Sequence, residues 1–223
     1  MTEPMKTPPD IRSSLSTNCI GHPILSYEKV SSTNDVLKEL AVQGAPEGTT
    51  VLAQAQSEGR GRRGREWTSV PGKGIYMSVL LRPEIPATDA GWLAILGGVA
   101  VIRALELLDV KNLTLKWPND VLAVGRKISG ILIEPRIGAG QIEFAVVGIG
   151  INVEQKAEDW TDALKETATS CHMEGVLVSC EHVIRAVLSE LDFWYPFIKQ
   201  RKTERLMGEW VQRGGKDGIP VIE

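Results

Sequence analysis

Cysteine is scarce in this 223-residue chain: Cys19, Cys171 and Cys180 are all there are. None forms a Cys-x-x-Cys pair, and an odd count argues against a disulfide framework. Histidine is equally sparse, at three residues, and His172 beside Cys171 finds no further ligands to complete a zinc pattern. Reduced thiols in a cytoplasmic protein are the expectation. Long apolar runs are also missing. The longest, residues 91–108, carries Arg103 and Glu106 and so predicts a buried helix instead of a membrane span. The N-terminus has no apolar core and cannot act as a secretory signal. A net charge of −3 gives no global attraction to nucleic acid or membrane surfaces, so neither partner is expected. No Gly-x4-Gly-Lys-Ser/Thr phosphate loop occurs, and Gly148-Ile149-Gly150 lacks the third glycine of a dinucleotide fingerprint, Val153 standing in its place.

What is present is an ordinary globular composition, 43% hydrophobic and 24% charged, with enough length for one large domain. Ser32 can cap a helix whose stripe is Val36, Leu37, Leu40 and Ala41, ended by Gly44 and Pro46. Asp35 falls in its first turn, at the positive end of the dipole. Strands are expected over 50–54, 75–81 and 113–116, with a pair at 127–134 and 142–149 joined by Gly138-Ala139-Gly140. Helical spacing marks 88–108, and again a long segment from Val183 to Trp194 expected to break near Pro196. A short helix or loop fits 158–169. Strict βαβ alternation is absent, so the fold class expected is α+β, a mixed or antiparallel sheet flanked by helices.

Four segments carry chemistry. Gly59-Arg60-Gly61-Arg62-Arg63-Gly64-Arg65 packs four arginines and three glycines into seven residues. Guanidiniums grip phosphate or carboxylate in bidentate fashion, and glycine lets backbone approach a small anion. Read alone, the segment is equally an anion cradle or a solvated, RNA-binding arginine–glycine loop. Lys116-Trp117-Pro118-Asn119-Asp120 ends a strand in a turn whose polar groups suit Mg²⁺–phosphate binding, or simply form an Asn-Asp turn beside a core tryptophan. Lys127 opens an apolar strand and would face a cleft. In Gly148-Ile149-Gly150-Ile151-Asn152, glycines admit a ligand to the backbone and Asn152 can read a base or ribose, though a glycine-softened core strand fits as well.

Taken together, Ser32-Thr33-Asn34, the arginine–glycine loop with Trp67, Lys-Trp-Pro-Asn-Asp, Arg126-Lys127-x-x-Gly130 and the 148–153 segment follow one another with the order and near-spacing of a known family. From about Tyr27 to Asn152 the chain resembles the biotin–protein ligase catalytic domain. The resemblance implies a class II aminoacyl-tRNA synthetase-like biotin/lipoate ligase fold over 21–217. It also implies a two-step reaction in which ATP and biotin give biotinyl-5′-AMP, and the biotin then passes to a lysine of the biotin carboxyl carrier protein of acetyl-CoA carboxylase. Mg²⁺ is implied as the metal, with Asp120 as its ligand, and a homodimer is compatible with the family. Lys127 and Arg62 take the catalytic roles. Ser32, Thr33, Asn34, Gln56, Gly59, Arg60, Gly61, Arg62, Lys127 and Gly130 are implied for biotin. Arg60, Arg62, Arg65, Trp67, Lys116, Asn119, Asp120, Lys127 and Asn152 are implied for ATP and the adenylate.

Two departures from the family pattern shape the expectations. Residues 1–20 read as a flexible leader too short for an operator-binding winged helix, so no repressor function is expected. Residues 218–223 read as the stub of a C-terminal β-barrel domain. The rival readings are a lipoate or octanoate ligase or transferase, and a nucleic-acid module using the arginine loop. The loop together with Lys-Trp-Pro-Asn-Asp favours the biotin branch over the first, and net negative charge with no second basic patch opposes the second.

Overall fold

The computed structural model describes Ile11 and residues 15–214. Its centre is a seven-stranded sheet in the order β1-β2-β3-β7-β6-β5-β4. The strands are β1 (Ile24–Val30), β2 (Thr50–Gln56), β3 (Gly74–Leu81), β4 (Leu113–Lys116), β5 (Asp120–Ala123), β6 (Arg126–Gly138) and β7 (Gln141–Asn152). β1 and β2 pair in parallel, joined by a crossover that carries helix α1 (Thr33–Val42). Every other pairing is antiparallel. The sheet is therefore mixed, as the absence of βαβ alternation predicts, with one βαβ unit at its edge.

The two faces of the sheet differ. On one face α1 lays Leu37 and Ala41 over Val51, Ala53, Leu80 and Val146 in a small apolar cluster. The opposite face carries the main core, under α2 (Gly91–Leu107) and, beyond the short α3 (Asp162–Thr167), α4 (Cys180–Lys199) and α5 (Glu204–Arg213). Helix α2 is apolar almost all round because it lies in the interior of this layer, with Leu93, Leu96, Val99 and Ile102 fully buried. With its preceding turn it is long and apolar enough to cross a membrane by length and composition alone, but here it is a core helix. Gly97 and Gly98 set its close approach: a Cβ on Gly98 would lie 2.8 Å from the Trp210 ring of α5. The β6–β7 hairpin closes through Ala139 and Gly140, both at positive φ (50° and 76°), as a tight two-residue turn requires.

Several expectations are corrected. Ser32 makes no side-chain cap on α1; its side chain is buried and lines a recess described below. Helix α4 continues through Pro196 to Lys199, since packing of Trp194, Tyr195 and Ile198 into the core outweighs the loss of one helical hydrogen bond. Strands β1 and β5 and helix α5 were not anticipated. Within the expected leader, Asn18, Cys19 and Ile20 are pinned by their backbone N–H groups to the Asp192 carboxylate at 2.7–2.9 Å, and Ile20 is fully buried. The 218–223 stub, and residues 1–10 and 12–14 of the leader, lie outside the described residues.

Candidate active site

The α1 face of the sheet is only partly covered by its helix. Past the N-terminus of α1, residues 148 and 150 of β7 and 130 of β6 are glycines, and a recess opens over them. Its polar wall begins with Thr33 and Asn34. Gln56 Oε1 accepts from the Thr33 N–H (2.9 Å) and hydroxyl (3.1 Å). The Ser78 hydroxyl lies 2.6 Å from Asn34 Oδ1 and 2.8 Å from Thr33 Oγ1. Ser78 has one proton, and the amide oxygen can only accept, so Ser78 donates to Asn34. Asn34 Nδ2 in turn donates to the Glu134 carboxylate at 2.6 Å. Two of the wall's side chains are thus fixed in orientation by residues absent from the sequence-derived set, Ser78 and Glu134. A buried serine inside an apolar strand carries no signal in a single sequence.

The roof is the 59–67 segment. It is a small hairpin, with Trp67 N–H donating to the Gly59 carbonyl at 2.9 Å, Gly61 N–H to Arg65 at 2.7 Å, and a tight turn over Arg62–Gly64. Gly59 sits at the hairpin's base and not in the recess: a Cβ there would be 2.5 Å from the Trp67 carbonyl. From the hairpin the Trp67 indole drops onto the sheet. A Cβ on Gly150 would lie 2.4 Å from Trp67 Cε2 and one on Gly130 2.9 Å from Cζ3, while one on Gly148 would lie 2.4 Å from Asn34 Oδ1. The glycines exist to make room for these side chains. With Trp67 down, the recess has open space of about 40 Å³, room for only a few water molecules. The indole N–H is buried without a hydrogen-bond partner, an unmet donor at this junction.

On the far side of Trp67 lies a second, wider compartment of about 550 Å³, lined by Arg62, Arg63, Arg65, Lys116 and Asp120 among others. Gly61, Trp67, Asn119 and Lys127 line both spaces. Lys127 Nζ stands 2.7 Å from Asp120 Oδ1 and 5.4 Å from the centre of the Trp67 ring. A bulge puts it there. In the β5–β6 ladder Val121 faces Ser129 but Leu122 faces Lys127, so Ile128 is the extra residue. Without that slip Lys127 would share a face with Ser129 and Ile131, toward the core; with it, Lys127 joins Gly130 on the open face.

Of the residues expected at the site, Ser32, Thr33, Asn34, Gln56, Arg60, Gly61, Trp67, Asn119, Lys127 and Gly130 line the recess, and Arg62, Arg65, Lys116 and Asp120 line the wider compartment. Asn119 Nδ2 is engaged with the Ile131 carbonyl at 2.7 Å. Asn152 lines neither space. Its amide donates to the Thr169 carbonyl at 2.9 Å and accepts from Gln155 at 3.4 Å, so it ties down the segment after β7. Tyr76, Met77, Leu132 and Glu66 also line these spaces and carry no signal in the sequence. Among the described residues no group of three or more His, Cys, Asp or Glu side chains could hold a metal ion by itself.

Comparison with known proteins gives the family of the chain. Residues 26–152 match the model of the biotin/lipoate A/B protein ligase family. The bifunctional ligase/repressor BirA of Bacillus subtilis is 42% identical over 161 residues, 72% of this chain and 50% of that protein. The biotin–[acetyl-CoA-carboxylase] ligase of Paracoccus denitrificans is 32% identical over 200 residues, 87% of this chain and 82% of the relative. Among solved structures, the biotin protein ligase from Aquifex aeolicus in complex with biotin and ATP superposes with a TM-score of 0.73 at 31% identity, over 86% of this chain and 78% of that one. The chain spans about half the length of the Bacillus relatives it matches. The match over β1 to β7, with the glycine-floored recess and the basic compartment beside it, shows that this chain belongs to the biotin/lipoate A/B protein ligase family.

Proposed function

We propose that the chain activates biotin with ATP to biotinyl-5′-AMP and then transfers the biotinyl group to a lysine of a biotin carboxyl carrier protein. The observation that carries this reading is the placement of Lys127 on the wall shared by the two compartments. One is a small recess with an amide, hydroxyls and a glycine floor; the other is wide and lined by arginine and lysine. A small carboxylic acid in the first and a triphosphate in the second would meet at Lys127.

In the first half-reaction a biotin carboxylate oxygen attacks the α-phosphorus, a P–O bond forms, and pyrophosphate leaves. Both partners are anions, and the Lys127 ammonium between them neutralises the charge they bring together. Arg62, Arg65 and Lys116 receive the departing pyrophosphate. Ser32, Gln56 and the fixed Thr33–Asn34 wall suit the ureido ring, which has two N–H donors and one strong acceptor. Asp120 faces the phosphate compartment and fits a Mg²⁺ that is held mainly by phosphate oxygens and water, which would withdraw charge from the leaving group. In the second half-reaction the carrier's ε-amine attacks the acyl carbon and AMP leaves. The hairpin over the recess keeps water from the mixed anhydride in the interval.

Pyrophosphate release from ATP and Mg²⁺ in the presence of biotin, octanoate or lipoate tests the reading. Release with biotin alone supports it. Release with the fatty acids instead would move the chain to the lipoate branch of the same family.

A further inference from the structure

Arg60 differs from the other hairpin arginines. Arg62, Arg63 and Arg65 are exposed, whereas Arg60 turns back from the hairpin to the first turn of α1. Its Nη1 and Nη2 donate to the two oxygens of Asp35 at 2.7 and 2.6 Å, the parallel fork that makes arginine–carboxylate pairs directional. Glu134 stands 3.9 Å from the same guanidinium, and Lys38 bridges Asp35 (2.9 Å) and Glu134 (2.8 Å). The Arg60 hydrogen bonds, ahead of those from Lys38, hold the Asp35 carboxyl down at about 2, so the pair is fully charged at neutral pH. Arg60 is bridged to Glu66 across the hairpin, and Trp67 follows directly, lying over Gly130 and Gly150. The chain of contacts runs from Asp35 through Arg60 to Trp67, and Trp67 is one wall of the recess, whose open space holds only a few waters.

We propose that Asp35 is a positioning residue: its carboxylate latches Arg60, holds the 59–67 hairpin over the recess, and so sets how readily biotin enters and how long the acyl-adenylate is retained. The retention part rests on the adenylate-forming reading above; the latch itself does not. Glu134 belongs to the same device, since it orients Asn34 in the recess wall while facing the latched guanidinium. The state of the recess and the state of the hairpin are therefore read by adjoining carboxylates.

The test uses the full chain without ligand. Trypsin should cut the 59–67 hairpin slowly in the wild type, with sites mapped by mass spectrometry. Asp35→Asn, which keeps shape and loses charge, should raise the cleavage rate about fivefold, as expected for losing the partly exposed Arg60 pair that ties the hairpin down when opening precedes cleavage; the Lys38 pair lost with it lies within α1. Arg60→Lys keeps the charge but loses the fork, so it should fall between the two. It also serves if Asp35→Asn does not fold. In a rapid-quench experiment with biotin and ATP, the same variants should release free biotinyl-AMP correspondingly faster. Unchanged cleavage in the variants overturns the latch whatever the chemistry. Faster cleavage with unchanged adenylate release overturns its role in retention. If the wild type releases no pyrophosphate with biotin, the functional reading falls while the cleavage result still decides the latch.

Discussion

Gly150 and Trp67 are matched so closely that a single added carbon separates them: a Cβ at position 150 would lie 2.4 Å from Trp67 Cε2. The indole is the movable partner, because it hangs from a surface hairpin, whereas Gly150 is held in the sheet opposite Tyr76 and Gly130. Gly150→Ala should therefore displace Trp67 and leave the fold intact. With the indole displaced the free protein is relieved of strain and Tm changes little; returning the indole over position 150 in the biotin complex would cost about 1–3 kcal/mol, so KM for biotin should rise by about tenfold or more. Gly208→Ala is the control. It sits in α5 with nothing within 4 Å of the added carbon, and should gain about 0.5–1 kcal/mol of stability with unchanged activity.

Ser78 acts behind the wall that faces the ligand. Ser78→Ala removes the donor to Asn34 Oδ1 and leaves that buried oxygen to find another. A loss of about 1–3 kcal/mol is expected for such a group. Calorimetry should show biotin affinity lower by about tenfold, while kcat at saturating biotin changes less.

Much of the site was legible in the sequence because its parts are short and chemically extreme. Four arginines among three glycines cannot be core, and Lys-Trp-Pro-Asn-Asp cannot continue a strand. What was not legible depends on register and burial. The face on which Lys127 emerges is decided by the extra residue Ile128, which no periodicity shows. Ser78 is indistinguishable from its strand neighbours until α1 is laid over it. That Asn152 stands outside both spaces was not legible because an amide suits a base edge and a backbone carbonyl equally well, and the Thr169 carbonyl that it meets lies in the irregular segment after β7. β5 has four residues, too few for an alternating pattern to declare itself.

Arg62 is exposed and lines the wider compartment beside Asn119. Arg62→Gly removes its charge from the hairpin's turn without touching the sheet. Free biotinyl-AMP should escape about tenfold faster, and bystander proteins should become biotinylated at their lysines. An unchanged rate of adenylate release would remove the hairpin from its shielding role.

The cysteines give a prediction independent of the chemistry. Burial pushes the thiols of Cys171 and Cys180 up to about 12, so at pH 8 almost none of either is thiolate. Iodoacetamide at pH 8 should leave buried Cys171 unmodified in the native protein, label half-buried Cys180 only slowly, and label both after unfolding in guanidinium. Rapid native labelling of either, read by peptide mass, would contradict its placement.

The central claim is that Lys127 joins the two compartments, and the most direct measurement is biotin-dependent pyrophosphate release by Lys127→Ala beside the wild type, with biotin binding followed in parallel. The account predicts that the variant still binds biotin and loses about 10²–10³ in the rate of release, the scale of removing one charge-stabilising group from a transition state. Release at the wild-type rate would contradict it.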